Sequence, residues 1–553
     1  MPSLFGPLPV RLTLFFFFGC QPIAFLTRAG QPPSDRVESV SSADGMSAEI
    51  DRQLRLRWQS DGITPAAVSS DEAFVRRVYL DLAGRIPTLG ERQAFIDDHR
   101  EQKRGELIDR LLGGEDHVQH LSDTFDTLLM GRGNRQRYRQ RSEHQWRDWL
   151  EQAFRANRPW NQMTAEILLA RPQSEAERGV VWYLYERDDD HQAIAESVAR
   201  SFFGIRIDCA QCHDHMIADE IEQGHYWGLV AFFNRGKNEQ TPLGPRVAES
   251  AVGGFSEFAD LTGSSSPNRL TFYGAETIDE PRPDPDAEPE DRDDLYFAGP
   301  GDGEPRVPKF SRRERFVSQI VADHPLIARS FVNRVWAMLM GRGIVHPFDQ
   351  MDSAHQPSHP ELLDTLADDF CANGYDVRRL IRGIANSQAY QLGSQRPPGA
   401  DDPASFAWYL PRPLTAEQFT RSLQVGFRDR VENGHPLVAQ VREKIPAVMP
   451  ETVMTGVAET LFLTNNPALN RYLEESQGET DLLTRLREQQ SIDATIETLC
   501  LTLLGREPSA DETAALAEFL AAEPAESADS IAGERLRHAA WALVTSAEFR
   551  FNH

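Results

Sequence analysis

The run Cys209-Ala210-Gln211-Cys212-His213 limits what this chain can fold into and bind more than any other sequence feature. Residues three apart lie on one face of a helical turn, so the spacing predicts two thiols that point the same way. The adjacent histidine can offer an imidazole nitrogen to whatever the thiols hold. C-x-x-C-H is the attachment signature of a c-type haem. We therefore expect covalent haem c, with thioethers at Cys209 and Cys212 and His213 as axial iron ligand.

Two other interpretations of the same residues stay open. Cys209, Cys212, His213 and His215 are ligand types that suit zinc, and C-x-x-C is a common zinc half-site. Four ligands within seven residues would, however, strain tetrahedral geometry. A redox dithiol, or thiols with a structural role only, is the third interpretation. A thioredoxin-like dithiol requires a βαβ context, and the surrounding pattern is helical.

A haem at this motif would need further contacts from the chain. Candidates for the sixth iron ligand are His225, Met216, His191 and His215. A histidine or methionine there favours electron transfer, whereas an open position favours ligand chemistry. Arg206 is a candidate partner for a haem propionate. The simpler alternatives are a surface histidine at position 225 and a solvated arginine at position 206.

The first residues have the pattern of an export signal. Arg11 precedes the short apolar run 12–18, and cleavage after Ala29 would give a signal peptide of residues 1–29. Phe18-Gly19-Cys20 is alternatively a loose lipoprotein box, in which a lipid on Cys20 would attach the protein to a membrane. The predicted location is the periplasm or the cell surface. That location agrees with covalent haem attachment, which takes place on the outer side of the membrane.

The rest of the chain predicts a mainly α fold. With 553 residues we expect two helical domains, 46–236 and 310–553. They are joined by an irregular acidic Pro/Gly-rich segment, 237–309, with a few short strands, one of them near Arg269–Tyr273. The formal net charge of -26 argues against nucleic acid as a partner. The redox partner is not defined by the sequence.

Helix starts and two cysteines give local expectations. Capping boxes are predicted where a serine or threonine precedes glutamate or glutamine by three positions: Thr88–Glu91, Ser358–Glu361, Thr415–Gln418 and Ser509–Glu512. Cys371 and Cys500 lie in apolar helical patterns, and free cysteines are usually buried. We expect both to be core thiols.

A family resemblance is carried by seven runs of the chain, 76–88, 202–215, 328–336, 341–345, 357–363, 414–418 and 546–553. Together they resemble the planctomycete cytochrome-like exported proteins. The first two are similar to a segment catalogued as domain of unknown function 1549, and the others to domain of unknown function 1553. The resemblance implies cytochrome-like character and assigns no reaction. After the motif this chain continues Met216-Ile217-Ala218-Asp219, where relatives usually have proline and phenylalanine.

Two function classes follow. One is an exported envelope protein that carries one haem c for electron transfer or redox chemistry. The other is a non-catalytic envelope or scaffold protein with a structural zinc at the Cys/His cluster. Whether the protein is an enzyme is left open, because no reaction is indicated and no carboxylate pair suggests a glycosidase.

Overall fold

The computed structural model describes residues 43–283, 290–297, 306–445, 449, 462–463, 465–474, 481–489, 491–521 and 528–553. Within these residues the chain is mainly α, which confirms the predicted fold class. They belong to one compact unit, Val40–His553. The predicted signal peptide, with Cys20 and Ala29, lies outside the described residues.

Most of the α-helices up to residue 233 follow one another with short connections, and a long segment, 234–311, separates them from the later ones. In chain order the α-helices are α1 Ala43–Asp61, α2 Asp71–Leu82, α3 Leu89–Ile96, α4 Lys103–Leu112, α5 Glu115–Met130, α6 Arg135–Glu143, α7 Trp146–Arg155, α8 Trp160–Leu169, α9 Trp182–Tyr185, α10 His191–Val198, α11 Gln223–Phe233, α12 Arg312–Arg315, α13 Pro325–Met340, α14 Pro360–Ala372, α15 Val377–Ala385, α16 Ala416–Arg428, α17 Leu437–Arg442, α18 Pro467–Glu474, α19 Leu482–Arg487, α20 Ile492–Leu503, α21 Ala510–Ala521, α22 Ala528–Thr545 and α23 Ala547–Arg550.

In the described part of the chain, three antiparallel strand pairs accompany the helices. They are β1 Gly236–Thr241 with β2 Gly244–Glu249, β3 Glu257–Ala259 with β4 Ser265–Pro267, and β5 Arg412–Pro413 with β6 Phe551–Asn552. The register of the third pair places Arg412 opposite Asn552. This pairing brings the end of the described chain beside the start of α16.

The few short strands expected between 237 and 309 are present as β1 to β4, but the position predicted for one of them was wrong. Arg269–Tyr273 is not a strand, and Leu270 forms only an isolated bridge with Ile278. The hairpin of β1 and β2 lies earlier, at the start of the segment. Its turn is closed by Gly244 at φ +109°, a backbone conformation that favours glycine.

Local capping signals were mostly reliable. Thr88 and Thr415 form the predicted capping boxes at the starts of α3 and α16. Ser509 and Glu512 also exchange both bonds, at 3.3 and 2.8 Å. The prediction at Ser358 was wrong. His359 is the N-cap of α14, while the Ser358 hydroxyl donates to the carbonyl of Ile344 at 3.2 Å.

The apolar core consists of two clusters that meet at α2. The first draws its residues from Met46 to Tyr409, and the second from Leu414 to Phe549 together with Leu80 and Ile86. Every residue from Phe74 to Leu82 is buried, because α2 has one cluster on each side. The clusters divide near residue 410, whereas composition placed domain limits at 236 and 309. Those domain limits stay a prediction.

The two cysteines outside the motif differ in burial. Cys500 is buried in the second cluster, as expected. Cys371 is exposed, so its prediction as a core thiol was wrong. It lies on the outer side of α14 and its Sγ donates to the Tyr375 hydroxyl at 3.3 Å. Among the described helices, none combines the length and apolar character that a bilayer span requires.

Candidate functional site: the C-x-x-C-H loop

The segment before the motif is fixed to α13. Helix α10 continues into a π-helical turn, Ala199–Phe203, and ends at Gly204 with φ +67°. A β-carbon at Gly204 would lie 2.8 Å from the Ser330 Cβ, so only glycine fits there. Ser330 Oγ donates to the carbonyl of Phe202 at 2.6 Å. Arg334, one turn further along α13, donates to the Ser201 carbonyl at 2.6 Å. The motif therefore starts from a rigid, buried base.

The loop that carries the motif is tied down at both ends by one short segment. At its start, the Arg206 guanidinium forms two hydrogen bonds with the Asp349 carboxylate, at 3.1 and 3.0 Å. At its end, the Glu220 carboxylate accepts bonds from the backbone N–H and the hydroxyl of Ser353, both at 2.7 Å. Residues 207–219 thus form a loop with fixed ends.

The motif begins on a single 3₁₀ turn, Asp208–Gln211, and Cys212 immediately follows it. Both thiols, Cys209 and Cys212, are free and exposed. Ala210 between them is fully buried, so the turn faces the core with the alanine and solvent with the cysteines. Both thiols are therefore accessible from solvent.

The carbonyl of Gln211 joins this turn to α11. It accepts hydrogen bonds from the Gln223 side-chain amide and the Trp227 indole N–H, both at 3.1 Å. The same Gln223 amide also donates to the carbonyl of Ala259 in β3, at 3.0 Å. Trp227 stacks on Phe258 of that strand, with ring centroids 6.3 Å apart. The motif therefore sits on an aromatic and hydrogen-bonded support.

Hydrogen bonds assign different tautomers to the histidines of the loop. His213 Nδ1 lies 2.6 Å from the carbonyl oxygen of Asp214. A carbonyl has no hydrogen to give, so His213 Nδ1 is the protonated nitrogen and Nε2 keeps its lone pair in the neutral ring. A carbonyl on Nδ1 is also the usual partner that orients a ligating histidine.

His215 and His225 have the opposite tautomer. His215 Nδ1 accepts from the backbone N–H of Ala218 at 3.1 Å. His225 Nδ1 accepts from the backbone N–H of Glu222 at 3.0 Å, at the start of α11. In a neutral ring the hydrogen is then on Nε2, which leaves no lone pair for a metal. Of these three histidines, His213 alone presents an available nitrogen in this arrangement.

The remaining predicted contacts have partners of their own or lie in solvent. His191 Nε2 is 3.0 Å from the carbonyl of Gly236, so it donates to β1. Met216 is 74% exposed and its neighbour Ile217 is 61% exposed. Arg206 is held by Asp349, and a propionate would have to share it. Met216 and His225 are close to the motif in sequence, but the structure selects neither of them as a sixth iron ligand.

Acidic side chains shape the electrostatics behind the motif. Burial raises the pKa of Glu196 above its ordinary value, and the nearby Asp208 carboxylate raises it further. The Tyr226 hydroxyl donates to Glu196 Oε1 at 3.0 Å. Burial lowers the pKa of His225, which favours its neutral form.

A bare metal finds no assembled site in the described part of the chain. No three side chains of histidine, cysteine, aspartate or glutamate converge there as metal ligands. A covalently attached haem requires less: two accessible thiols and one imidazole lone pair. Cys209, Cys212 and His213 provide these, and the exposed Met216 and Ile217 offer apolar surface beside them. The residues present fit that group.

The fold and the loop define a mainly α protein with an exposed C-x-x-C-H turn. More particularly, residues 49–238 match the family PSCyt2, described as a protein of unknown function (DUF1549). Residues 312–426 match PSD1, described as a protein of unknown function (DUF1553). The two matches confirm the predicted pairing of these segments in one chain. No curated protein and no solved structure matches the chain.

Sequence reasoning missed the residues that hold the loop in place. Asp349, Ser353 and Gln223 anchor it, yet none stands in the motif or beside it. Asp349 and Ser353 lie more than a hundred residues further along the chain. No local pattern marks such partners, because their positions depend on how α13 packs against the π-helical turn.

Proposed function

We propose that this chain is an exported cell-envelope protein that holds one haem c covalently at Cys209 and Cys212, with His213 as axial ligand. The observation that carries the proposal is the tautomer of His213, whose Nδ1 faces the Asp214 carbonyl and whose Nε2 is free. The exposure of both thiols supports it, because attachment requires the cysteines to be reached from solvent. The name of the matched family, PSCyt2, suggests a cytochrome-like segment.

In this proposal a bound haem would supply one-electron redox chemistry or ligand chemistry. The chain's own residues orient and tune the site. The Asp214 carbonyl fixes the ring of His213, and the Gln211 carbonyl, held by Trp227, fixes the turn between the cysteines. The role is electron transfer or related redox chemistry with a partner of the envelope.

Three further expectations belong to the same proposal. The first is export to the periplasm or cell surface, with lipidation at Cys20 as an alternative to cleavage after Ala29. The second is the likeness to planctomycete cytochrome-like exported proteins, since the matched families carry no statement of origin. The third is a sharing of Arg206 between Asp349 and a haem propionate.

The first experiment uses the full chain made in a host that attaches haem c to exported proteins. We expect a haem-staining band to persist through denaturing electrophoresis, and a c-type spectrum on reduction. Cys209→Ser combined with Cys212→Ser should abolish the stained band. Cys371→Ser is the matched control, since it removes another exposed thiol outside the motif. A colourless protein carrying one zinc per chain would overturn the proposal.

A second experiment separates His213 from His215. His213→Ala should remove the spectrum of a histidine-ligated iron while the thioethers still retain the haem. His215→Ala should leave that spectrum unchanged, because its Nδ1 already caps the turn at Ala218. In the zinc alternative, both substitutions would lower the metal content of the protein.

A further inference from the structure

A cavity of about 90 Å³ lies between α2, α5, the end of α13 and the start of α16. Its walls come from runs that are far apart in sequence and that have no role at the C-x-x-C-H loop. Among them are the end of α2 with Asp81, the turn Gly341–Gly343, and the capping box of Thr415 and Gln418. The cavity is therefore a second place where the recognised runs of this chain converge.

One wall of the cavity is a fully bonded carboxylate. Asp81 accepts from the hydroxyls of Tyr390 and Tyr409 at 2.8 and 3.1 Å. It also accepts from the Asn552 amide at 2.7 Å and pairs with the Arg412 guanidinium. Four donors use the lone pairs of both oxygens, so Asp81 supports the wall and does not serve a ligand.

Three other polar groups line the cavity without a partner. His120 and Thr124 lie one turn apart on α5, so their side chains share a face. Within the described residues neither side chain makes a hydrogen bond, although His120 is 6% and Thr124 4% exposed. Arg342 also lines the cavity, and its guanidinium has no ion pair or hydrogen bond with the described residues. Buried polar groups without partners are rare in proteins, and they indicate a missing ligand or water.

The charge of the cavity favours an anion. The Arg412 guanidinium is neutralised by Asp81, and its Nη1 also covers the carbonyl of Leu339 at the end of α13, at 2.8 Å. That carbonyl would otherwise repel an anion. Arg342 therefore contributes a positive charge that no described residue balances. Burial and the neighbouring Arg421 lower the pKa of His120 to about 3, so its ring is neutral and available for hydrogen bonding.

We propose that this cavity binds a small oxyanion, an organic carboxylate or an inorganic phosphate or sulfate, with Arg342 as its cationic contact. His120 and Thr124, which also line the cavity, supply the neutral hydrogen bonds. The size suits a ligand of few heavy atoms, because one water occupies about 30 Å³ of liquid. The site is independent of the haem proposal, since the two share no residue.

The test measures the thermal unfolding midpoint of the full chain while one anion replaces chloride at constant ionic strength. Acetate, phosphate and sulfate are the probes. A ligand that binds only the folded state raises the midpoint, and the rise grows with the logarithm of ligand concentration once that concentration exceeds the dissociation constant. We expect at least one probe to do so at millimolar concentration. A response to acetate alone identifies a carboxylate site, and a response to phosphate or sulfate identifies an inorganic oxyanion site.

Arg342→Gln should weaken the apparent affinity by about 10- to 100-fold, the usual effect of losing a hydrogen bond to a charged group. Arg139→Gln is the matched control, because Arg139 is exposed and its ion pair within the described residues is with Glu143 on α6. Thr124→Val keeps the side-chain shape and should weaken binding by about 2- to 10-fold. It also serves as the second variant if Arg342→Gln does not fold. No response to any probe, or an equal response in both arginine variants, would overturn the proposal.

Discussion

The C-x-x-C-H loop and the Asp81 cluster are built in opposite ways. In the loop, the reactive residues are neighbours in sequence, both thiols are exposed, and the histidines bond to nearby backbone. Around Asp81, the partners are 309 to 471 residues away, and the bonds are buried apart from the partly buried one to Arg412. The first arrangement presents groups for chemistry, and the second holds distant parts of the chain together.

From this contrast we expect substitutions in the two regions to affect different properties of the protein. Changes in the loop should alter what the protein carries and leave its stability nearly unchanged. Changes at Asp81 should lower stability and leave the motif chemistry intact in the molecules that still fold. The predictions that follow are directed at this separation.

The largest expected effect is at Asp81 itself. Asp81→Ala should lower the free energy of unfolding by about 3–5 kcal/mol, because it leaves the Arg412 guanidinium without its counterion in the interior. Urea unfolding of the full chain measures the change. Glu143→Ala breaks the exposed pair with Arg139 and should show no measurable change. A small effect at Asp81 would remove the basis of the comparison.

The next effect is a dependence of stability on pH. Burial lowers the pKa of His117 to about 4 and that of His120 to about 3. Well above pH 6.5, the ordinary pKa of histidine, both rings are neutral whether the chain is folded or not. As the pH falls towards 4, only the unfolded chain takes up these protons, so stability decreases by about 1.4 kcal/mol per pH unit for each histidine.

Urea unfolding between pH 6.5 and 4.5 measures this slope. His117→Gln removes one of the two groups and should reduce the slope by about one histidine's share. An unchanged slope would mean that His117 takes up its proton equally in the folded and unfolded chain, which would contradict the lowered pKa. The loop histidines are left in place in this comparison.

A smaller effect is expected from the strand pair of β5 and β6. Asn552→Ala removes the amide bond to the Asp81 carboxylate, and a bond to a charged group contributes about 1.5–3 kcal/mol. Asn552→Asp is informative as a companion, since it places a second carboxylate beside the first and should destabilise more. Equal stability of the alanine variant and the parent protein would show that β6 docks without help from Asp81.

The smallest effect is expected in the motif. Cys209→Ser with Cys212→Ser should change the free energy of unfolding of the haem-free protein by less than about 0.5 kcal/mol, as is usual at exposed positions. Chemical denaturation of protein made without haem attachment measures it. A large loss would show that the thiols support the loop, and the contrast with Asp81 would fail on that side.

Local features of the fold could be predicted from the sequence. The mainly α class follows from helical periodicity, and the capping boxes at Thr88, Thr415 and Ser509 follow from spacing alone. The same reasoning failed at Ser358 and Cys371. At Ser358 the deciding contact is the hydrogen bond to the carbonyl of Ile344. At Cys371 the deciding factor is that its face of the helix is turned to solvent. The neighbouring residues in the sequence indicate neither.

The ligand residues of the candidate site could be predicted from the sequence, whereas the contacts that hold them in place could not. Cys209, Cys212 and His213 are contiguous, so a pattern finds them. The tautomer that distinguishes His213 from His215 depends on which backbone group each ring meets, and this emerges only from the folded loop. The cavity beside Asp81 was not found at all, because its walls come together only through the packing of α5, α13 and α16.

The pairing of Arg412 with Asn552 determines how late in synthesis the interior around α2 can be completed. Asp81 leaves the ribosome, and in an exported protein crosses the membrane, long before Arg412 and Asn552 do. These two partners lie 331 and 471 positions further along the chain. Until they arrive, its carboxylate has neither counterion nor amide, and helix α2 has only one of the two apolar clusters that bury it. The interior around α2 is thus completed late, and a product cut short before residue 412 would expose it. We expect proteases to degrade such fragments because their core is incomplete, whatever the state of the C-x-x-C-H loop.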